Sequence, residues 1–229
     1  MGQVPVLFLL IGKTGRLGRH LQRYLSCLDL PYRAWSRADG PLPLEGVTHT
    51  LLALPDDALE PFLDAHPELA ATTVVHFSGS LVTPQAWGAH PLMTFAGREY
   101  GLEDYAAIHF IVDAGAPPLD ELLPGLPNPW HRLEPELKAR YHAECVLSGN
   151  FTAMLWAHFF QVLEGKLGLP RSAALPYLRR VAANLESEEQ PLTGPLVRGD
   201  RATVERNLRA LEGDPYQAVY TSFVEAYAR

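Results

Sequence analysis

Cysteine is nearly absent from this sequence. Cys27 and Cys145 lie far apart in a chain of 229 residues, which argues against both a disulfide framework and a cysteine-built metal centre. Positive charge is also short. The 19 lysines and arginines stand against 26 acidic residues, a net charge of −7 with no basic block, so nucleic acid is not expected as a partner. None of the nine histidines falls in HxxxH spacing and no CxxC occurs, so no bound metal is expected. The chain opens without a basic n-region or a cleavage site, and a cytoplasmic location is expected. One long apolar run, residues 145–163, competes as a membrane span. Ser148, Asn150, Thr152, His158 and Gln161 interrupt it and no basic cluster flanks it, so a buried helix is expected instead and no membrane partner.

What is present is organised around residues 4–28. VPVLFLLIG at 4–12 reads as a strand buried on both faces. Gly12, Gly15 and Gly18 then punctuate a turn, after which Leu17, Leu21, Tyr24, Leu25 and Leu28 fall on one helical face. Strand, glycine turn and helix open a dinucleotide-binding βαβ unit, in which the helix N-terminus faces a pyrophosphate. The spacing is GxxGxxG, one residue longer than the usual fingerprint. Gly12-Lys13-Thr14 also spells the end of a P-loop, but Leu7 stands where that loop needs its first glycine.

Residues 31–37 read as the second strand. An acid near its end would hold the ribose of NAD, whereas an arginine accommodates the 2′-phosphate of NADP. The chain offers Ser36 and Arg37 there and no acid until Asp39, so NADP is the expected cofactor and NAD the alternative. Residues 39–46 are too short for a crossover helix. Further strands are expected at 48–54, ending in LPDD, at 72–77, ending in His76 and Ser78, and at 107–112. His90 is expected on a loop before Pro91. Residues 113–128 are dense in proline and glycine and read as a boundary between a domain at 1–115 and a helical one at 130–229. The last helix, opening at Asp214-Pro215, carries Tyr216, Val219, Tyr220, Phe223, Val224 and Tyr227 on one stripe, which suggests a core or a homodimer contact.

Six stretches in this order carry a family resemblance: the glycine turn, LPDDAL, HFSGSL, HPLMTF, RYHAECVLSGNF and LTGPLVRGDRATVERNL. Together they resemble a domain-of-unknown-function family of bacterial Rossmann-like proteins described as oxidoreductases, related to the 6-phosphogluconate and β-hydroxyacid dehydrogenases. The resemblance implies an α/β fold, a Rossmann-like doubly wound sheet followed by an all-α domain of 6-phosphogluconate dehydrogenase type. It also implies an NAD(P) site and names no substrate.

The expected cofactor residues are Gly12, Thr14, Gly15, Arg16, Leu17, Gly18, Ser36, Arg37, Leu54, Pro55 and Ser78. The expected catalytic residues are His90, His142 and Asn150. His142 and Asn150 are eight apart, close to two helical turns; the resemblance implies that Asn150 holds a substrate oxygen while His142 donates a proton to it. A structural alternative stands beside each, since buried polar side chains usually satisfy one another. Two functions follow: an NADP-dependent oxidoreductase acting on a small carbonyl, imine or hydroxy compound, or a Rossmann-shaped binding protein without turnover.

Overall fold

Four consecutive residues with no accessible surface, Phe8–Ile11, form the first strand, β1. Each such side chain contributes about 1.5–3 kcal/mol on burial, which sets β1 at the centre of a sheet rather than at its edge. The computed structural model describes residues 5–188 and 190–228; Val4, where the sequence reading begins β1, lies outside them. β2 is Tyr32–Trp35, β3 His49–Leu52, β4 Thr73–His76, β5 Trp87–Pro91, β6 Phe110–Asp113 and β7 Trp130–Leu133. They form a seven-stranded sheet in the order β2-β1-β3-β4-β5-β6-β7. β1 to β5 run parallel, β6 turns antiparallel to β5, and β7 runs parallel to β6. This is the expected Rossmann-like α/β fold with a helical C-terminal region.

Alternation along the strands divides the core. Phe8, Leu10, Leu51, Val75 and Val112 face α1 (Arg16–Cys27), α3 (Leu102–Ala106) and α4 (Leu119–Leu122). Leu9, Ile11, Leu52 and Val74 face α2 (Asp56–Ala65). β2 and β3 are joined by only a 3-10 turn, Arg37–Asp39, and an irregular link.

The proline-rich residues after β6 remain with the sheet. Asn128, buried, donates to the carbonyls of Tyr105 and Ile108 and accepts from the Tyr24 hydroxyl, which delivers the chain to β7. A long helical segment follows: α5 (Pro135–Cys145), a π-helical turn (Val146–Phe151) and α6 (Thr152–Gly165). The chain divides into compact units at Met1–Leu155 and Trp156–Arg229, later than the compositional change at 113–128. The second unit contains α7 (Leu175–Ser187), α8 (Arg201–Ala210) and α9 (Tyr216–Tyr227). Asp200 caps α8 by accepting from Thr203 N–H, and Asp214 accepts from Tyr216 N–H at the start of α9. No described helix is long and apolar enough to cross a membrane.

Candidate active site

The glycine turn is shaped by two steric demands. Gly12 has φ +92°, and a Cβ there would run into the Ala53 carbonyl. A Cβ on Gly18 would run into the Gly12 carbonyl, so the third glycine lets α1 close on the turn. Gly15 has room for a side chain and sits at the N-cap of α1, whose first turn holds no acid. Its position leaves backbone N–H groups open to an anion.

A cleft of about 680 Å³ opens beside this turn. Gly12, Thr14 and Gly15 form one wall, Trp35, Ser36 and Arg37 the end of β2, and Leu54 and Pro55 the end of β3. Seven of the expected cofactor residues therefore line it. Arg16 is exposed and lies outside the lining, while Leu17 packs on the core and Gly18 is buried under α1. Ser78 is buried too, and its hydroxyl is committed: it donates to Asp56 at 2.7 Å and accepts from Leu81 N–H at 2.9 Å. It shapes the loop after β4.

The carboxyl ends of β4 and β5 carry a second group of polar side chains. His90 lies within β5 rather than on a loop, because Ala89 and Pro91 pack inward and pair with β6 on either side of it. His90 Nδ1 is 2.8 Å from the Tyr141 hydroxyl, and its ring stands edge-on to His142 at 5.8 Å. Burial foremost, then the charges of His142 and Lys138, lowers the His90 pKa to about 4, so the ring is neutral near pH 7. Burial raises that of Tyr141. Gly79 underlies the pair: a Cβ there would strike His142 Nδ1 and crowd the His90 ring. His142 Nδ1 is buried and has no hydrogen-bond partner among the described residues.

Lys138, one turn before His142 on α5, is the residue that pattern reading missed. Its ammonium is buried, pairs with Asp113 Oδ1 at 2.6 Å and donates to the Leu81 carbonyl. Asp113 also accepts from Gly88 N–H at 2.8 Å, and Gly88 has no room for a Cβ between the two charges. The ion pair thus ties α5 to β5 and β6 beneath the histidines. His76, fully buried at the end of β4, accepts from Ser78 N–H through Nδ1, which puts the proton on Nε2, where no partner is found among the described residues. Desolvation foremost, then the charge of Lys138, lowers its pKa to about 4. The structure does not bring Asn150 into this group. Asn150 is exposed on the π-helical turn, and among the described residues no hydrogen bond joins it to His90 or His142. Two turns of α-helix would have aligned it with His142, but the wider π turn breaks that projection. Among the described residues no cluster of three or more metal-ligating side chains occurs.

A parallel sheet with its polar groups at the carboxyl edge and a glycine turn under a cleft defines a Rossmann-like α/β protein. The family described as domain of unknown function DUF2520 matches residues 108–227, and the chain belongs to it. No curated protein matches. A structure from Bacteroides fragilis, given a provisional NADP oxidoreductase assignment, is 22% identical, with a TM-score of 0.80 and 99% of each chain covered. A protein from Thermotoga maritima is 24% identical, at TM-score 0.67 and 96% coverage of each. An imine reductase from Streptomyces aurantiacus is 14% identical, at TM-score 0.60, with 97% of this chain and 93% of that one covered. At such identities the likeness is one of fold.

Proposed function

We propose that the chain is an NADP-dependent oxidoreductase acting on a small carbonyl, imine or hydroxy compound. The observation that carries this reading is one sheet edge presenting both a dinucleotide-sized cleft at Gly12 and Gly15 and a neutral, half-buried His90–Tyr141 pair beside His142. The provisional NADP oxidoreductase and the imine reductase of similar fold support the same class. The cleft fits the coenzyme: Gly12 and Gly18 close the turn, Gly15 leaves backbone N–H groups open, and Ser36 and Arg37 stand where the adenosine ribose is read. The bound nicotinamide supplies or accepts a hydride. Gly15 at the helix N-terminus holds negative charge, and Leu54 and Pro55 form an apolar wall. Neutral His90, oriented by Tyr141, donates an N–H to the substrate heteroatom, and His142 delivers or removes the proton there.

A melting experiment tests the coenzyme half. NADPH at about a hundred times its dissociation constant should add roughly 2.7 kcal/mol and raise Tm by roughly 5–10 °C. No shift with either NADPH or NADH would contradict it. Exposed Asn150, joined to neither histidine, favours the second reading, a binding protein of Rossmann shape without turnover. That protein would show the shift and reduce no carbonyl or imine in a substrate panel.

We propose further that a second copy covers the long helix. Leu147 and Phe151 on the π-helical turn and Met154 on α6 are 53%, 45% and 56% exposed. Sedimentation at twice the monomer mass is expected, and a monomer alone would contradict it.

A further inference from the structure

Three donors at the rim of the cleft converge on a carboxylate of the chain itself. Asp39 ends the 3-10 turn after β2. Its Oδ2 accepts from the Ser36 backbone N–H at 2.6 Å and from the Ser36 hydroxyl at 2.8 Å. Its Oδ1 accepts from Lys13 Nζ at 2.7 Å. Lys13 belongs to the glycine turn, 26 residues earlier, so the bond spans the rim between β1 and β2. Arg37, beside them and lining the cleft, makes no ion pair among the described residues. The hydrogen bond from Lys13 foremost, then those from Ser36, lowers the Asp39 pKa to about 2, so the group is an anion at every working pH.

A backbone N–H, a hydroxyl and an ammonium with a guanidinium alongside make a set of donors suited to a phosphate monoester. The end of the second strand is where this fold reads the adenosine ribose, with an acid for its 2′-hydroxyl and a base for its 2′-phosphate. Here both are present, Asp39 and Arg37, and the acid is bonded to Lys13 of the glycine turn. We propose that Asp39 is an internal occupant of the 2′-phosphate subsite, holding Lys13 and Ser36 closed and restraining the preference for NADP that Arg37 confers. A 2′-phosphate binds only when it displaces this carboxylate, since two anions cannot share the same donors. A ribose with a free 2′-hydroxyl meets no such competition. The inference rests on the reading of the cleft as a dinucleotide site.

The test uses two fragments that need no turnover, 2′,5′-ADP and 5′-AMP, titrated calorimetrically into the full chain. Variants Asp39→Ala and Asp39→Asn are compared with the parent, and melting confirms that each is folded. If the alanine variant melts early, the near-isosteric asparagine carries the comparison. Removing the charge should tighten 2′,5′-ADP on the order of tenfold and leave 5′-AMP unchanged. Lys13→Met added to Asp39→Ala should then reverse the gain, because the freed ammonium would be the phosphate's partner. An unchanged ratio of the two affinities in both Asp39 variants, with binding intact, would overturn the proposal and leave the dinucleotide reading standing. No saturable binding of either fragment to any of these proteins would overturn both.

Discussion

The hydroxyl of Tyr141 lies 2.8 Å from Nδ1 of His90 across 51 residues of sequence, and this bond joins α5 to the fifth strand of the sheet. Both groups are half-buried, so solvent replaces a lost partner only in part. Tyr141→Phe keeps the ring and leaves the imidazole nitrogen unpaired. The expected loss is about 1–3 kcal/mol, read from the denaturant midpoint with an unchanged slope. A variant as stable as the parent would show that the bond holds nothing.

Gly79 allows His142 its place. In Gly79→Ala the added methyl would strike His142 Nδ1 and crowd the His90 ring. Over-packing of this kind costs about 1–3 kcal/mol. The cleft beside the glycine turn does not include Gly79, so on the proposed function the NADPH-induced melting shift should persist while turnover falls. A fully active variant would move His142 out of the reaction.

Lys138 and Asp113 form a buried pair, and breaking one costs more than deleting both. Lys138→Met leaves the Asp113 carboxylate with Gly88 N–H alone and should destabilise by about 3–5 kcal/mol. Adding Asp113→Asn should recover a large part of that loss. Equal melting temperatures for the single and double variants would contradict the pairing.

Acid should unfold the protein in a defined window. The unfolded chain takes up protons on His76 and His90 near their ordinary value of 6.5, whereas the folded protein resists until about 4. Stability therefore falls as pH drops from 6.5 toward 4, and these two groups leave it unchanged above that range. Carboxyls held below their ordinary 3.8, those of Asp39, Asp200 and Asp214, act only at lower pH. His76→Gln should flatten the slope in the upper window. Stability that is constant or rising on acidification would contradict the burial of both rings.

What was legible in the sequence was local. β1, the glycine turn and the end of β2 declare themselves within 40 residues, because apolar runs and glycines act on near neighbours. The carboxyl edge is different. His90 reads as a loop residue beside Pro91, since the β6 pairing that makes it a strand comes from residues 110–112. Lys138 reads as surface, because lysines almost never bury unless paired and its partner is 25 residues away. Asn150 is projected onto the His142 face by a 3.6-residue period that the π turn interrupts. Asp39 was visible as an acid at the end of β2, but its bond to Lys13 depends on the folded turn.

A crystal of the protein grown with NADPH tests the account most directly. Density is expected for the adenosine against Ser36 and Arg37 and for the pyrophosphate at Gly15. The nicotinamide is expected close enough to His90 and His142 for one small substrate to touch both, with reacting atoms about 3–3.5 Å apart. A dinucleotide whose nicotinamide points away from these histidines, or a cleft that stays empty at saturating NADPH, would contradict it.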